Sequence, residues 1–216
     1  MKPASSPQKK ENLRKIMAIL GPLYPDQRPL LDYESPFQLL IATVLSAQCT
    51  DAAVNMTTPK LFSRFPDPAS LAKAALPELE TIVHSLGFFR AKAHNIKALS
   101  QKLIERHGGE VPKTMEELTS LSGVGRKTAS VVLTVCYGQP AIIVDTHFAR
   151  VSRRLGLTKS ERPEEIEKNI AAIAQPENWK QVSMALNRFG RALCHARKPE
   201  CGKCPVRDFC AEPYPE

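Results

Sequence analysis

Leu121-Ser122-Gly123-Val124-Gly125-Arg126-Lys127-Thr128-Ala129 is the stretch on which the fold turns. Upstream of it, Thr114 with Glu117 forms a capping box that opens a helix running to Leu121. Downstream, residues 126–137 are apolar on most sides and end at Gly138 and Pro140, the mark of a helix through the middle of a domain. Gly123 and Gly125 permit backbone angles or close approaches that a side chain would block, and Val124 anchors the turn between them. Exposed N–H groups in such a turn, with the start of the second helix, make a phosphate cradle. A Walker A loop is excluded, because its G-x-x-x-x-G-K-[ST] spacing is absent and a helix precedes the turn. The stretch reads as a helix–hairpin–helix that holds DNA backbone without reading sequence, with Gly123, Gly125 and Arg126 as its contacts. The plainer alternative is a glycine turn between packed helices.

Lys127 falls in the first turn of the second helix, where the macrodipole disfavours a cation and favours a neutral amine able to act as a nucleophile. Asp145 follows in Val144-Asp145-Thr146-His147, where an apolar extended run (141–144) meets a new helix. It suits a plain N-cap. Yet the chain after Pro140 has to retrace the buried helix, which predicts a return of Asp145 towards Lys127. A lysine with a carboxylate beside a DNA-backbone clamp is a catalytic set.

Outward from the hairpin, helix follows helix. Capping residues, prolines and periodicity predict helices over 36–47, 51–64, 68–73, 77–85, 89–107, 145–155, 163–174 and 177–194. The fold class is therefore all-α. Residues 1–10 are expected to be disordered, and the segment from Ala196 to the terminal Pro-Tyr-Pro-Glu irregular. No run of about 20 apolar residues is present to span a membrane. No signal peptide is visible, so a reducing compartment is expected, where cysteines serve metal or chemistry rather than disulfides. The 30 Lys and Arg exceed the 22 Asp and Glu by a net +8, which fits a polyanionic partner such as nucleic acid.

Of six cysteines, Cys49 and Cys136 lie in apolar surroundings and read as buried helical thiols. Cys194, Cys201, Cys204 and Cys210 form a C-x6-C-x2-C-x5-C cluster, in a tail with too little apolar surface to hold itself together. Four thiolates suit Zn²⁺ or a [4Fe–4S] cluster equally well by count. Arg197, Lys198, Lys203 and Arg207 stand among them, against Glu200 and Asp208, as a phosphate-contacting patch or as compensation for thiolate charge.

Leu45-Ser-Ala-Gln-Cys-Thr-Asp51, the hairpin, Val144-Asp-Thr-His147 and the cysteine tail, in this order from about Glu11 to Cys210, resemble the endonuclease III family of DNA base-excision repair enzymes. The resemblance implies a six-helix barrel domain with the hairpin over 29–139. That domain is inserted into a discontinuous helical domain, 1–28 and 140–216, which carries one [4Fe–4S] cluster on Cys194, Cys201, Cys204 and Cys210. It implies a monomeric glycosylase and abasic-site lyase that removes oxidised pyrimidines from double-stranded DNA and cuts 3′ to the abasic site by β-elimination. Such an enzyme is cytoplasmic, or nucleoid-associated in a bacterium, with no membrane partner. The catalytic pair falls on Lys127 and Asp145, the gap-filling glutamine on Gln48 and the wedge residue on Phe88. Two departures stand out. Ser122 replaces the proline common in the hairpin, and Phe88 replaces an aliphatic wedge with an aromatic that can stack on bases. An adenine-mismatch glycosylase is disfavoured by Lys127 and by a chain that ends six residues after Cys210. Monofunctional thymine or uracil mismatch removal is disfavoured by Lys127 alone, and a non-enzymatic DNA binder would leave Lys127 and Asp145 idle.

Overall fold

Capping residues and prolines set most helix starts in the structure, a computed structural model that describes residues 6–212. In chain order the helices are α1 Ser6–Leu23, α2 Pro36–Leu45, α3 Asp51–Arg64, α4 Pro68–Lys73, α5 Leu76–Ile82, α6 Phe89–His107, α7 Met115–Thr119, α8 Arg126–Tyr137, α9 Thr146–Arg154, α10 Pro163–Ala171 and α11 Trp179–Ala192. Ser35 accepts from the Gln38 N–H at 3.2 Å ahead of Pro36, and Thr50 accepts from the Ala53 N–H at the start of α3. Asp67 and Ser70 close a reciprocal capping box on α4. Each such cap contributes about 1 kcal/mol. The all-α class holds, and several helices end two or three residues before the sequence limits because the chain tightens into i+3 turns, as at Leu86→Val83 and Leu121→Leu118.

The chain divides into two units. One comprises residues 29–139 and contains α2 to α8. Its core gathers Leu40, Ile41, Leu61, Leu79, Leu99, Leu103 and Val132. α2 and α8 are covered nearly all round, with Leu39–Leu45 and Ala129–Thr134 buried as continuous runs, and they pack on each other. Buried Thr43 is satisfied within α2, donating to the Leu39 carbonyl at 2.7 Å. α6 lies against α2, α4 and α5, and α7 against α8.

The other unit comprises residues 1–28 and 140–216. α11 packs on α1 and α9, and α10 packs on α9. Phe148, Phe189, Leu186 and Ile166 form its centre. In the 141–144 run Ala141, Ile142 and Ile143 are buried, Val144 is half-buried, and none of the four lies in a helix. The expectation of disorder over 1–10 is corrected for residues 6–10, which open the 18-residue helix α1; residues 1–5 lie outside the described residues. α1 forms because Leu13, Ile16 and Leu20 supply an apolar stripe that α11 covers. From Ala196 on the chain is irregular apart from short 3₁₀ turns at Cys201–Lys203 and Arg207–Phe209. The terminal Pro-Tyr-Pro-Glu lies outside the described residues.

Candidate active site and nucleic-acid interface

In the 29–139 unit the hairpin is a built turn. Thr114 caps α7, the Leu121 carbonyl receives the Val124 N–H at 3.2 Å, and Val124 is buried. Gly123 has φ +75, and a Cβ there would come within 3.0 Å of the Asn95 side chain, so both backbone angle and space demand glycine. Gly125 differs. Its φ is −93, and an added Cβ would meet nothing within 4 Å. It is the N-cap of α8 with no side chain to cap the first turn, and Gly123, Gly125, Arg126 and Lys127 are all exposed. The hairpin thus offers an open backbone and a helix start to an anion. Lys127 stands on that first turn.

Gln48 and Phe88 belong to the same unit and share a backbone property. They and Lys198 are the non-glycine residues with positive φ among the described residues, at 55°, 58° and 51°. Left-handed backbone at a non-glycine residue is strained and persists where surroundings impose it. Gln48 is exposed in the turn between α2 and α3. Phe88 is 68 % exposed at the N-cap of α6, an aromatic ring held in solvent. Cys49, expected in a helix, instead lies in the turn after Gln48, where its sulphur meets Lys92 Nζ at 3.0 Å. The α2 helix has ended by Leu45, which leaves Cys49 in the linking turn. Cys136 is in α8, as expected, but both thiols are half-buried rather than buried, and partial burial pushes the Cys136 thiol up.

In the other unit Asp145 is the N-cap of α9. Its Oδ1 accepts from the Phe148 N–H at 2.8 Å and its Oδ2 from the Asn187 side chain on α11. One turn earlier on α11, Ser183 Oγ accepts from the Ile143 N–H at 3.0 Å. Ser183 and Asn187, four residues apart, therefore pin both the extended run and the carboxylate. Neither was singled out from sequence; the legible signal is two polar residues spaced i, i+4 on an otherwise apolar helix face. Burial pushes the His147 imidazole down, opposed by Asp145 and aided by Arg191 and Arg150.

The cysteine tail hangs from the end of α11. Cys194, Cys201, Cys204 and Cys210 line one small cavity with Arg154, Leu155, Phe189 and Leu193. All six cysteines are free thiols. Among the described residues no three His, Cys, Asp or Glu side chains gather around a single-ion position. Arg154 Nη1 donates to Cys194 Sγ at 3.4 Å and to the His195 carbonyl at 2.7 Å, while Arg150 Nε donates to the Cys194 carbonyl at 3.0 Å. Burial, with the neighbouring cysteines adding to it, pushes the Cys204 and Cys210 thiols up, so holding these two as thiolates costs free energy that a bound cationic centre would offset. That donor set fits an iron–sulphur cluster. Lys198, Lys203 and Arg207 are exposed, and Lys203 is ion-paired to Glu200 at 2.8 Å, which reduces what it offers to a phosphate.

Residues 41–176 match the HhH-GPD superfamily of base excision DNA repair proteins, and residues 194–210 match the iron-sulfur binding domain of endonuclease III. The chain is 48 % identical over 203 residues to endonuclease III of Synechocystis sp., covering 94 % of this chain and 93 % of that protein. It is 43 % identical over 205 residues to endonuclease III of Bacillus subtilis, covering 93 % and 94 %. The solved structure of a trapped endonuclease III–DNA covalent intermediate superimposes with a TM-score of 0.91 at 43 % identity, covering 94 % of this chain and 96 % of that one. With the glycine hairpin ahead of Lys127 and the cysteine cavity already in place, these matches show that the chain belongs to the endonuclease III family of HhH-GPD base-excision repair proteins.

Proposed function

We infer that the protein is a bifunctional DNA glycosylase and abasic-site lyase. It removes oxidised pyrimidines from duplex DNA and cuts 3′ to the abasic site. The observation that carries this reading is Lys127, an exposed amine on the first turn of the hairpin helix, directly after the open backbone at Gly125.

The glycosidic bond is inaccessible inside the base stack, so the damaged nucleotide is extruded first. The hairpin backbone and Arg126 hold phosphates, and Gln48 and Phe88 fill the gap, the exposed ring stacking on the bases it meets. The Lys127 amine attacks C1′ and the bond from C1′ to the base breaks, the base leaving with the electron pair. Loss of a proton from the amine and opening of the sugar give a Schiff base, which acidifies the 2′ proton. Removal of that proton expels the 3′ oxygen and breaks the strand. The Asp145 carboxylate, oriented by Phe148 N–H and Asn187, stabilises positive charge developing on the sugar and assists proton transfer from the lysine.

Cys194, Cys201, Cys204 and Cys210 would hold one [4Fe–4S] cluster, which would brace the 194–210 loop. Lys198, Lys203 and Arg207 then contact phosphate from that loop, with Lys203 shared with Glu200. Among the described residues no helix is long and apolar enough to cross a membrane. The two relatives named above are bacterial, and a DNA substrate supports the reading of a monomer acting in the bacterial cytoplasm and nucleoid.

A panel of duplexes carrying oxidised pyrimidines, mismatches or an abasic site tests the reading. Base release from the oxidised pyrimidines with a 3′ nick is expected. Base release without a nick would make the enzyme monofunctional, and an uncut abasic-site duplex with no base release would make the protein a binder only.

A further inference from the structure

The turns that carry Gln48 and Phe88, both within the 29–139 unit, are joined by a contact that glycosylase chemistry does not use. Lys92 on the first turn of α6 is only 4 % exposed, and its Nζ lies 3.0 Å from Cys49 Sγ. Burial strips an ammonium of water, and the positive end of a helix repels it, so such a group stays in place only with an acceptor. Cys49 is that acceptor. It directly follows Gln48, and its own N–H closes the turn onto the Ser46 carbonyl at 3.1 Å. Lys92 N–H in turn donates to the Phe88 carbonyl at 3.1 Å. A Cβ added at Gly87 would stand 4.0 Å from Cys49 Sγ, so the same sulphur abuts the residue before Phe88. On either side of the contact stands a left-handed non-glycine residue, Gln48 and Phe88.

We propose that Lys92 and Cys49 are a positioning pair that clamps the Gln48 turn to the Phe88 turn and sets how well both side chains fill the space of an extruded nucleotide. The inference rests on the gap-holding roles given to Gln48 and Phe88. Neither Lys92 nor Cys49 touches substrate in this scheme. The hairpin grips the phosphates of any duplex, whereas the clamp acts only where a nucleotide is missing from the stack. Its loss therefore appears as lost discrimination rather than lost DNA binding. Removing one charge-assisted hydrogen bond of this kind corresponds to about a tenfold change in affinity.

The test uses a duplex with an abasic-site analogue opposite 2-aminopurine, whose fluorescence reports unstacking, alongside an undamaged duplex at the same salt. Cys49→Ala and Lys92→Met are each expected to weaken binding to the abasic-site duplex about tenfold, to reduce the fluorescence change, and to leave undamaged-duplex affinity unchanged. The double variant is expected to be no worse than either single one, and Cys49→Ser, which keeps an acceptor, to recover most of the loss. If Lys92→Met fails to fold, the comparison of Cys49→Ala with Cys49→Ser decides. The inference is overturned if Cys49→Ala binds the abasic-site duplex as tightly as wild type while Gln48→Ala and Phe88→Ala weaken it. It is equally overturned if Cys49→Ala weakens both duplexes alike. Should Gln48→Ala and Phe88→Ala also bind unchanged, the gap-holding reading fails and the clamp with it.

Discussion

Asp145→Asn separates the helix cap that Asp145 makes in this structure from the catalytic role proposed for it. Asp145 caps α9 through Oδ1, which takes the Phe148 N–H at 2.8 Å, and its Oδ2 takes a hydrogen bond from Asn187. Asparagine is as good an N-cap as aspartate, and its carbonyl oxygen keeps the Phe148 bond. The Asn187 amide can turn over and present its own oxygen to the new NH₂ group. The fold should therefore lose less than about 0.5 kcal/mol, a melting shift of less than about 2 °C in a chain of this size. Asp145→Ala loses the cap, about 1 kcal/mol, and leaves Asn187 without its acceptor, about 1 kcal/mol more, so it should melt roughly 4–8 °C lower. Both variants lose the negative charge proposed to stabilise the sugar in the transition state. Single-turnover base release should fall at least about 100-fold in each, or roughly 2.7 kcal/mol. The paired measurement is base release with enzyme in excess and a thermal melt on the same preparations. Base release by Asp145→Asn within about threefold of wild type would refute the catalytic role and leave Asp145 as a helix cap.

Three further outcomes follow from the same geometry. Gly123→Ala should destabilise the protein by about 1–2 kcal/mol or more, because left-handed backbone and the Asn95 side chain both oppose a Cβ, whereas Gly125→Ala should melt near wild type yet bind duplex DNA more weakly; equal effects in both assays would contradict the distinction. Lys198→Ala should lower affinity for any duplex and reduce the salt slope by about 1, and Lys203→Ala should do less because Glu200 already neutralises it; titration against salt decides. Cys204→Ser should lose bound iron and the visible absorbance of a cluster, and weaken DNA binding more than it alters the far-UV circular dichroism; full iron content in the variant would remove Cys204 from the ligand set.

Local signals made the helices readable. Ser35-Pro36, Asp67-Pro68 and Thr114 announce their helix starts through side-chain chemistry that acts within three residues, and the structure uses each of them. The buried run Ala129–Thr134 is equally plain, since a stretch apolar on most sides has to be covered. α1 is only weakly marked in the sequence. Its Leu13, Ile16 and Leu20 have helical spacing, yet the surrounding charges and Pro7 obscure a stripe that becomes stable only against α11. Cys49 was misplaced for a different reason. Sequence shows the apolar residues before it but not that α2 tightens into a turn at Ser46, which aims the thiol at Lys92 43 residues on. Asn187 lies 42 residues from Asp145, and its i, i+4 spacing with Ser183 marks a polar pair without showing which carboxylate it orients. Nor does composition reveal that Glu200 takes up the charge of Lys203. The spacing of the last four cysteines, by contrast, is itself the long-range message, because their joint approach to one cavity is what the irregular tail exists to achieve.

The central claim is that Lys127 forms the covalent bond to DNA, and borohydride trapping tests it most directly. Wild-type protein incubated with a lesion duplex and borohydride should yield a stable protein–DNA adduct, with the modified peptide mapping to Lys127. Lys127→Ala, an exposed first-turn change that leaves α8 and its buried face intact, should still bind the duplex but give no adduct. An adduct of undiminished yield in Lys127→Ala, or one mapped to another residue of the wild-type chain, would contradict the account.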